Sequence, residues 1–162
     1  MMKYAKTYQT PIGMMTLIAT DDAVEEIVFD DGITANGLEN DVMKQASEEL
    51  REYFHGERIS FSFPIHIIGT PFQKKVWQAL MEIPYGETVT YREIACKVGN
   101  PKASRAVGMA NHRNRLPIVI PCHRVIGSNG KMVGYALGLD KKEYLLEMEQ
   151  RNMSFAAKIQ NV

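Results

Sequence analysis

Three apolar-rich stretches open the chain, Tyr4–Gln9, Met14–Ala19 and Val24–Phe29, the first two flanking Thr10-Pro11-Ile12-Gly13 and the third ended by Asp30-Asp31-Gly32. Short apolar runs bounded by turn residues read as strands. From Asp41 to Phe54 the spacing changes. Val42, Met43, Ala46, Leu50, Tyr53 and Phe54 fall mostly at helical intervals, which predicts a helix. Ile59–Phe63 alternates again and predicts a fourth strand, ended by Pro64. Gly69-Thr70-Pro71 is a break, with Thr70 as N-cap and Pro71 as first residue of a helix that carries Phe72, Val76, Trp77 and Leu80. Pro84-Tyr85-Gly86 ends it.

Short helices are then expected. Thr88-Val89 is a brief extended piece. Thr90-Tyr91-Arg92-Glu93 has the capping-box pattern, and Ile94, Ala95 and Val98 make a buried stripe. Gly99-Asn100-Pro101 separates this helix from one predicted over Lys102–Asn111, a helix-turn-helix signal shared by many ordinary cores. Leu116–Pro121 is an apolar run expected to be extended. A turn at Ser128-Asn129-Gly130 suggests a β-hairpin, and Asp140–Glu149 a last helix. Helix-turn-helix followed by a β wing is the winged-helix layout. The fold class is therefore α+β: a small N-terminal part with an antiparallel sheet, then a mostly helical winged-helix part.

Composition adds exclusions. The chain of 162 residues is 45% hydrophobic and 23% charged, an ordinary globular balance rather than that of a disordered or fibrous chain. No apolar stretch approaches the roughly 20 residues of a membrane helix. No apolar core follows Lys3 and Lys6 as in a signal peptide. Two cysteines make no disulfide framework, and no Cys/His set has zinc-ligand spacing, so neither metal nor cofactor is expected. A reducing, cytoplasmic setting and no membrane partner follow as expectations.

The charge distribution changes the picture further. Net charge is zero, yet residues 1–66 hold twelve acidic and five basic side chains, whereas residues 91–131 hold eight basic and one acidic. Such asymmetry suits a face that meets phosphate, or simply a solvated basic surface. Within that basic segment lies Cys122, after Pro121 and before His123 and Arg124. A nucleophilic cysteine reacts as thiolate, which neighbouring His or Arg favours. On a regular strand adjacent side chains point to opposite faces, so His123 reaches Cys122 only if the backbone turns or a water intervenes. A buried, inert cysteine beside a histidine has the same letters. Cys96 sits mid-helix without a basic partner.

Ile120-Pro121-Cys122-His123-Arg124-Val125-Ile126 resembles the active-site signature of the O6-alkylguanine-DNA alkyltransferases, the methylated-DNA–protein-cysteine methyltransferases. Tyr85–Tyr91, Gly99–Gly108, Asn114, Gly134–Leu139 and Lys142–Glu149 resemble the same family in order and spacing, over about Thr70 to Glu149. The resemblance implies an N-terminal ribonuclease-H-like domain over 1–68 and a DNA-binding, alkyl-transfer domain over 69–162. It implies direct-reversal repair: the base is flipped out and its alkyl group passes irreversibly, once per molecule, to Cys122. O6-methylguanine in double-stranded DNA, bound through the minor groove by a monomer, is the implied substrate, with O4-methylthymine a second.

Roles follow from the same resemblance. His123 takes the thiol proton through a water, and Glu149 orients its imidazole. Asn114 holds the turn beneath the site. Tyr91 donates to the guanine ring and crowds the phosphate. The carbonyls of Cys122 and Val125 accept from the guanine amino group, the Ala136 N–H reaches O6, and Tyr135 lines the pocket. Arg105 fills the vacated stack, and Lys102, Ala106 and Arg113 contact DNA. Leu137 stands where other members carry glycine, which narrows the pocket against bulky adducts. Two other classes remain at this point: a lesion-binding protein without transfer, and a cysteine hydrolase. The first loses the acceptor cysteine that this chain has. The second needs an oxyanion hole for which the sequence offers no sign.

Overall fold

Gly13, at φ +116°, closes the two-residue Pro11-Ile12 loop that turns the first strand back on itself. Strands β1 (Tyr4–Thr10), β2 (Gly13–Ala19) and β3 (Val24–Val28) form an antiparallel sheet in sequence order, with Tyr4 opposite Ala19 and Thr16 opposite Val28. The computed structural model describes residues 3–29, 35–130, 135 and 137–153. The chain divides into two compact units, Met1–Ile68 and Gly69–Val162.

In the first unit, α1 (Asp41–Phe54) starts where the Asn40 side chain accepts from the Met43 N–H at 3.0 Å. Its apolar face (Met43, Ala46, Leu50, Tyr53) is buried with Met15, Leu17 and Ala19 of β2. The strand expected over 59–63 does not form. The buried Glu49 carboxylate accepts from the Ser62 N–H at 2.7 Å and the Ser62 hydroxyl at 2.9 Å, so a side chain takes what a neighbouring strand would have bonded. Phe63 is buried and Ser62 exposed, so the alternation records burial, not strand pairing. Only Ile65, just beyond it, makes an isolated parallel bridge, to Val24.

In the second unit, α2 (Pro71–Met81) opens with a complete capping box: Gln73 N–H donates to the Thr70 hydroxyl, and Thr70 N–H to Gln73 Oε1. Strand β4 (Val89–Thr90) leads into α3 (Tyr91–Lys97), capped by Thr90, whose hydroxyl accepts from the Glu93 N–H at 3.1 Å. α4 begins at Ser104, two residues later than its composition predicts, and runs to His112. The Asn100 side chain accepts from the Lys102 N–H at 3.3 Å, holding Lys102 in a turn outside the helix. The connection between α3 and α4 is therefore the six residues Val98–Ala103 rather than three. Helices α2, α3 and α4 pack on one another, and the Trp77 indole N–H donates to the Ala110 carbonyl at 2.8 Å.

Leu116–Pro121 is buried but not extended. Ile118 has φ +77°, a strained conformation for a β-branched residue, and the Ile120 N–H returns to the Leu116 carbonyl at 2.9 Å. Strand β5 (Val125–Ile126) then pairs in parallel with β4, Val89 beside Val125. The chain turns at Gly127–Gly130, but the returning arm of the expected hairpin lies outside the described residues. α5 (Leu139–Arg151) closes the unit.

Candidate active site

Pro121 is the hinge of the site. At φ −79° and ψ 65° it is the centre of an inverse γ-turn, with the Cys122 N–H donating to the Ile120 carbonyl at 2.7 Å. A 3-10 turn over Cys122–Arg124 follows, closed by the Arg124 N–H on the Pro121 carbonyl at 3.0 Å. The backbone thus turns at the point where a strand would have separated the side chains. Cys122, His123 and Arg124 are all buried.

Asn114 braces the loop from beneath. Its amide N–H donates to the Ile120 carbonyl at 2.8 Å, and its oxygen accepts from the Leu116 N–H at 2.9 Å. Asn114 and Tyr135 both face the Cys122 sulfur. Burial pushes the Cys122 thiol up, against these two side chains and the Lys142 charge, which pull it down. At rest the group is a thiol, and its proton must be taken by a base.

A candidate for that base is built from residues far apart in sequence. His123 Nε2 lies 2.7 Å from Glu149 Oε2, and both side chains are fully buried. The same carboxylate accepts from Arg124 Nε at 2.8 Å, from Arg124 Nη2 at 3.0 Å and from the Gly86 N–H at 3.2 Å. Burial works against the ionised carboxylate, but His123 and Arg124 outweigh it and hold its pKa well below the usual range. An anion in the last turn of a helix opposes the helix dipole. These partners offset that opposition. Gly86 reaches Glu149 with φ +81°, a conformation that favours glycine.

His123 itself titrates low, because burial and then the Arg124 and Lys142 charges outweigh Glu149. It is therefore a neutral imidazole at neutral pH. With Glu149 ionised, Nε2 carries the proton and donates. Nδ1 is buried without a partner among the described residues and keeps its lone pair for a proton.

Arg124 departs from its expected part. It does not serve the thiol: its guanidinium grips Glu149, donates to the Ile83 carbonyl at 2.8 Å and lies over the Tyr85 ring. Lys142, absent from the expected set, is wholly buried and donates from Nζ to the Val125 carbonyl at 2.6 Å. Its pKa is lowered by burial. The Cys122 carbonyl likewise takes the Asn111 amide, at 3.4 Å. Each carbonyl keeps a second lone pair. A signal for Lys142 existed in its spacing, seven residues before Glu149 and so on the same face of α5.

Tyr91, first residue of α3, is partly buried. Burial raises its pKa, and the Cys122 sulfur adds to the effect, so it shares the site. Ala136 lies outside the described residues. Arg105, Ala106 and Arg113 are exposed on or at the end of α4, and Lys102 in the turn before it. Of the eight basic residues in 91–131, Lys131 lies outside the described residues, Arg124 is buried and Lys97 pairs with Glu82 at 2.9 Å, while Arg92, Lys102, Arg105, Arg113 and Arg115 are exposed. Among the described residues no group of three His, Cys, Asp or Glu is placed to hold a metal ion, and no helix is long and apolar enough to cross a membrane. A cavity of about 520 Å³ in the first unit, lined in part by Tyr8, Met15, Arg51 and Phe54, contains no cysteine.

A buried cysteine beside a histidine–carboxylate pair, in a unit with an exposed basic helix, defines a thiol-based group-transfer site of the DNA-binding kind. Residues 71–151 match the family model described as 6-O-methylguanine DNA methyltransferase, DNA binding domain, and residues 3–67 its ribonuclease-like domain. The chain belongs to this family of methylated-DNA–protein-cysteine methyltransferases. A relative so named from Methanosarcina acetivorans is 49% identical over 152 residues, covering 90% of this chain and 97% of the relative. The constitutive relative from Bacillus subtilis is 44% identical, covering 92% and 96%. The crystal structure of Mycobacterium tuberculosis O6-methylguanine methyltransferase superposes with a TM-score of 0.85 at 38% identity, covering 93% and 94%. The Mycobacterium tuberculosis OGT in complex with DNA gives 0.85 at 39%, covering 91% and 93%.

Proposed function

We propose that the protein repairs O6-alkylguanine in double-stranded DNA by moving the alkyl group to Cys122 Sγ, once per molecule. The observation that carries this reading is the buried Nδ1 of His123, without a partner among the described residues, on a ring backed by Glu149 and Arg124 and next to a cysteine in the same turn. The thiol proton passes to Nδ1, directly or through a water. The thiolate attacks the alkyl carbon, the carbon–O6 bond breaks, and its electron pair stays with the base. Tyr91 supplies a proton or hydrogen bond to the guanine ring as that charge develops. The product is a thioether, which the His123–Glu149 pair cannot hydrolyse, so the reaction stops after one transfer.

Chemistry on a base in a duplex requires extrusion, at a cost of a few kcal/mol. Arg105 is long, cationic and exposed beside Ala106 on α4, which suits it to fill the vacated stack from a minor groove only ~6 Å wide. Lys102 and Arg113 extend the phosphate contact. The Val125 and Cys122 carbonyls receive the guanine amino group, the Ala136 N–H meets O6, and Tyr135 lines the pocket. O4-methylthymine is a second substrate, and the protein acts as a monomer in the cytoplasm.

Intact-mass measurement after incubation with O6-methylguanine DNA tests the reading. One methyl group should be gained, on the peptide carrying Cys122, with repaired lesions reaching a plateau at one per protein. Linear repair beyond that plateau, or a methyl group elsewhere, overturns it.

A further inference from the structure

Met109 is the most exposed large apolar side chain among the described residues, at 58%. It stands on α4, whose inward positions Val107, Ala110 and Asn111 fill the core and leave Met109 no part in it. Its neighbours on the outward face are Arg105 one turn before it, Ala106, and His112 and Arg113 after it, all exposed. A large apolar side chain set in a cationic stripe is poorly matched to water and well matched to one surface: the inside of a nucleic-acid groove, where sugars and base edges are apolar and phosphates flank them. Minor-groove proteins use apolar wedges, methionine among them, in this way.

We propose that Met109 is a second groove-inserted side chain, an apolar wedge that acts with Arg105 on duplex DNA. This rests on the DNA-directed reading above and adds a DNA-contacting residue to it. One helical turn advances about 5.4 Å, so Met109 meets the duplex one to two base steps from the position Arg105 fills. The thioether is unbranched and adapts to irregular surfaces, so it packs against sugars without a fixed sequence. Because it carries no charge, its contribution is independent of salt, unlike that of the surrounding cations.

The test compares Met109→Ala and Met109→Leu with wild type in single-turnover methyl transfer to Cys122. Two substrates are used: a duplex with one O6-methylguanine, and the free base O6-methylguanine. Affinity for the lesion duplex is measured at low and high salt in parallel. Met109→Ala should slow transfer from the duplex by roughly five- to tenfold, the scale of losing a partly buried apolar side chain. It should weaken lesion-duplex affinity with an unchanged salt slope and transfer from the free base as wild type does. Met109→Leu should retain duplex activity. A wild-type duplex rate in Met109→Ala overturns the proposal, as does equal slowing on both substrates, which marks a packing residue. If wild type transfers no methyl group, the proposed reaction fails, and the affinity measurement still decides whether Met109 contacts DNA.

Discussion

Lys142 and Glu149 stand two turns apart on one face of α5, a wholly buried cation and a wholly buried anion with Leu145 between them. Lys142 donates to the Val125 carbonyl, and Glu149 takes His123 and Arg124. One helix thus brings opposite charges to the two sides of the Cys122–Arg124 turn.

Glu149→Gln leaves Arg124 buried without its counter-charge. Breaking a buried pair costs about 3–5 kcal/mol, read from chemical denaturation. Transfer should slow by about a hundredfold, the scale of general-base catalysis. The double mutant with His123→Ala should be little slower than the worse single one, because the pair acts as a unit. Additive losses would separate the two residues.

Lys142→Met removes a buried charge but leaves the Val125 carbonyl without its donor, so stability should fall by about 1–3 kcal/mol. A second effect falls on chemistry. The Cys122 thiol loses a nearby cation and titrates still higher, so transfer should slow at neutral pH and recover as pH rises. Alkylation of Cys122 by a thiol reagent across pH checks the shift. An unmoved profile would limit Lys142 to holding Val125.

Arg124→Gln frees His123 from a cation that holds its pKa down. With that pKa raised, the imidazole is protonated, and useless as a base, up to a higher pH. The acid limb of the transfer-rate profile, measured with the free base, should move upward. Arg124→Lys should restore the limb only in part, since an ammonium lacks the bidentate fork.

Folding stability should fall in acid in two stages. The folded pKa of His123 lies below its unfolded value, so stability is lost as pH drops below about 6.5. Glu149 has the same sign, and its share is lost below about 4.3. Denaturant midpoints between pH 7 and pH 3 test this. His123→Asn should remove the first stage and shrink the second, since His123 also holds the Glu149 carboxyl down.

Arg105→Ala should impair base extrusion more than encounter, because phosphate affinity is spread over several exposed cations. Fluorescence of 2-aminopurine beside the lesion reports unstacking. Wild-type unstacking in the variant would reduce Arg105 to a phosphate contact.

Local signals read well from the letters. Thr70 with Pro71, Thr90 and the apolar spacing of Asp41–Phe54 each act within a few residues, and the helices form at those places. Signals that depend on a distant partner did not read. The 59–63 segment alternates as a strand does, yet Glu49, more than a dozen residues away, takes its N–H groups. Asn100 delays α4 through a turn that composition alone does not reveal. Arg124 adjoins His123 and Cys122 in sequence, which suggested service to the thiol, but its charge belongs to a carboxylate 25 residues on. Lys142 donates to the Val125 carbonyl 17 residues away, a partner that its own neighbours in sequence do not name.

The Glu149 carboxylate is bonded by Gly86, His123 and Arg124, contacts that span 63, 26 and 25 residues of chain. Contacts of such span form late, since the loops between them must be closed first. During synthesis, the Cys122 thiol therefore precedes the histidine–carboxylate pair beside it. On the proposed reading, base-assisted transfer begins only when α5 has docked.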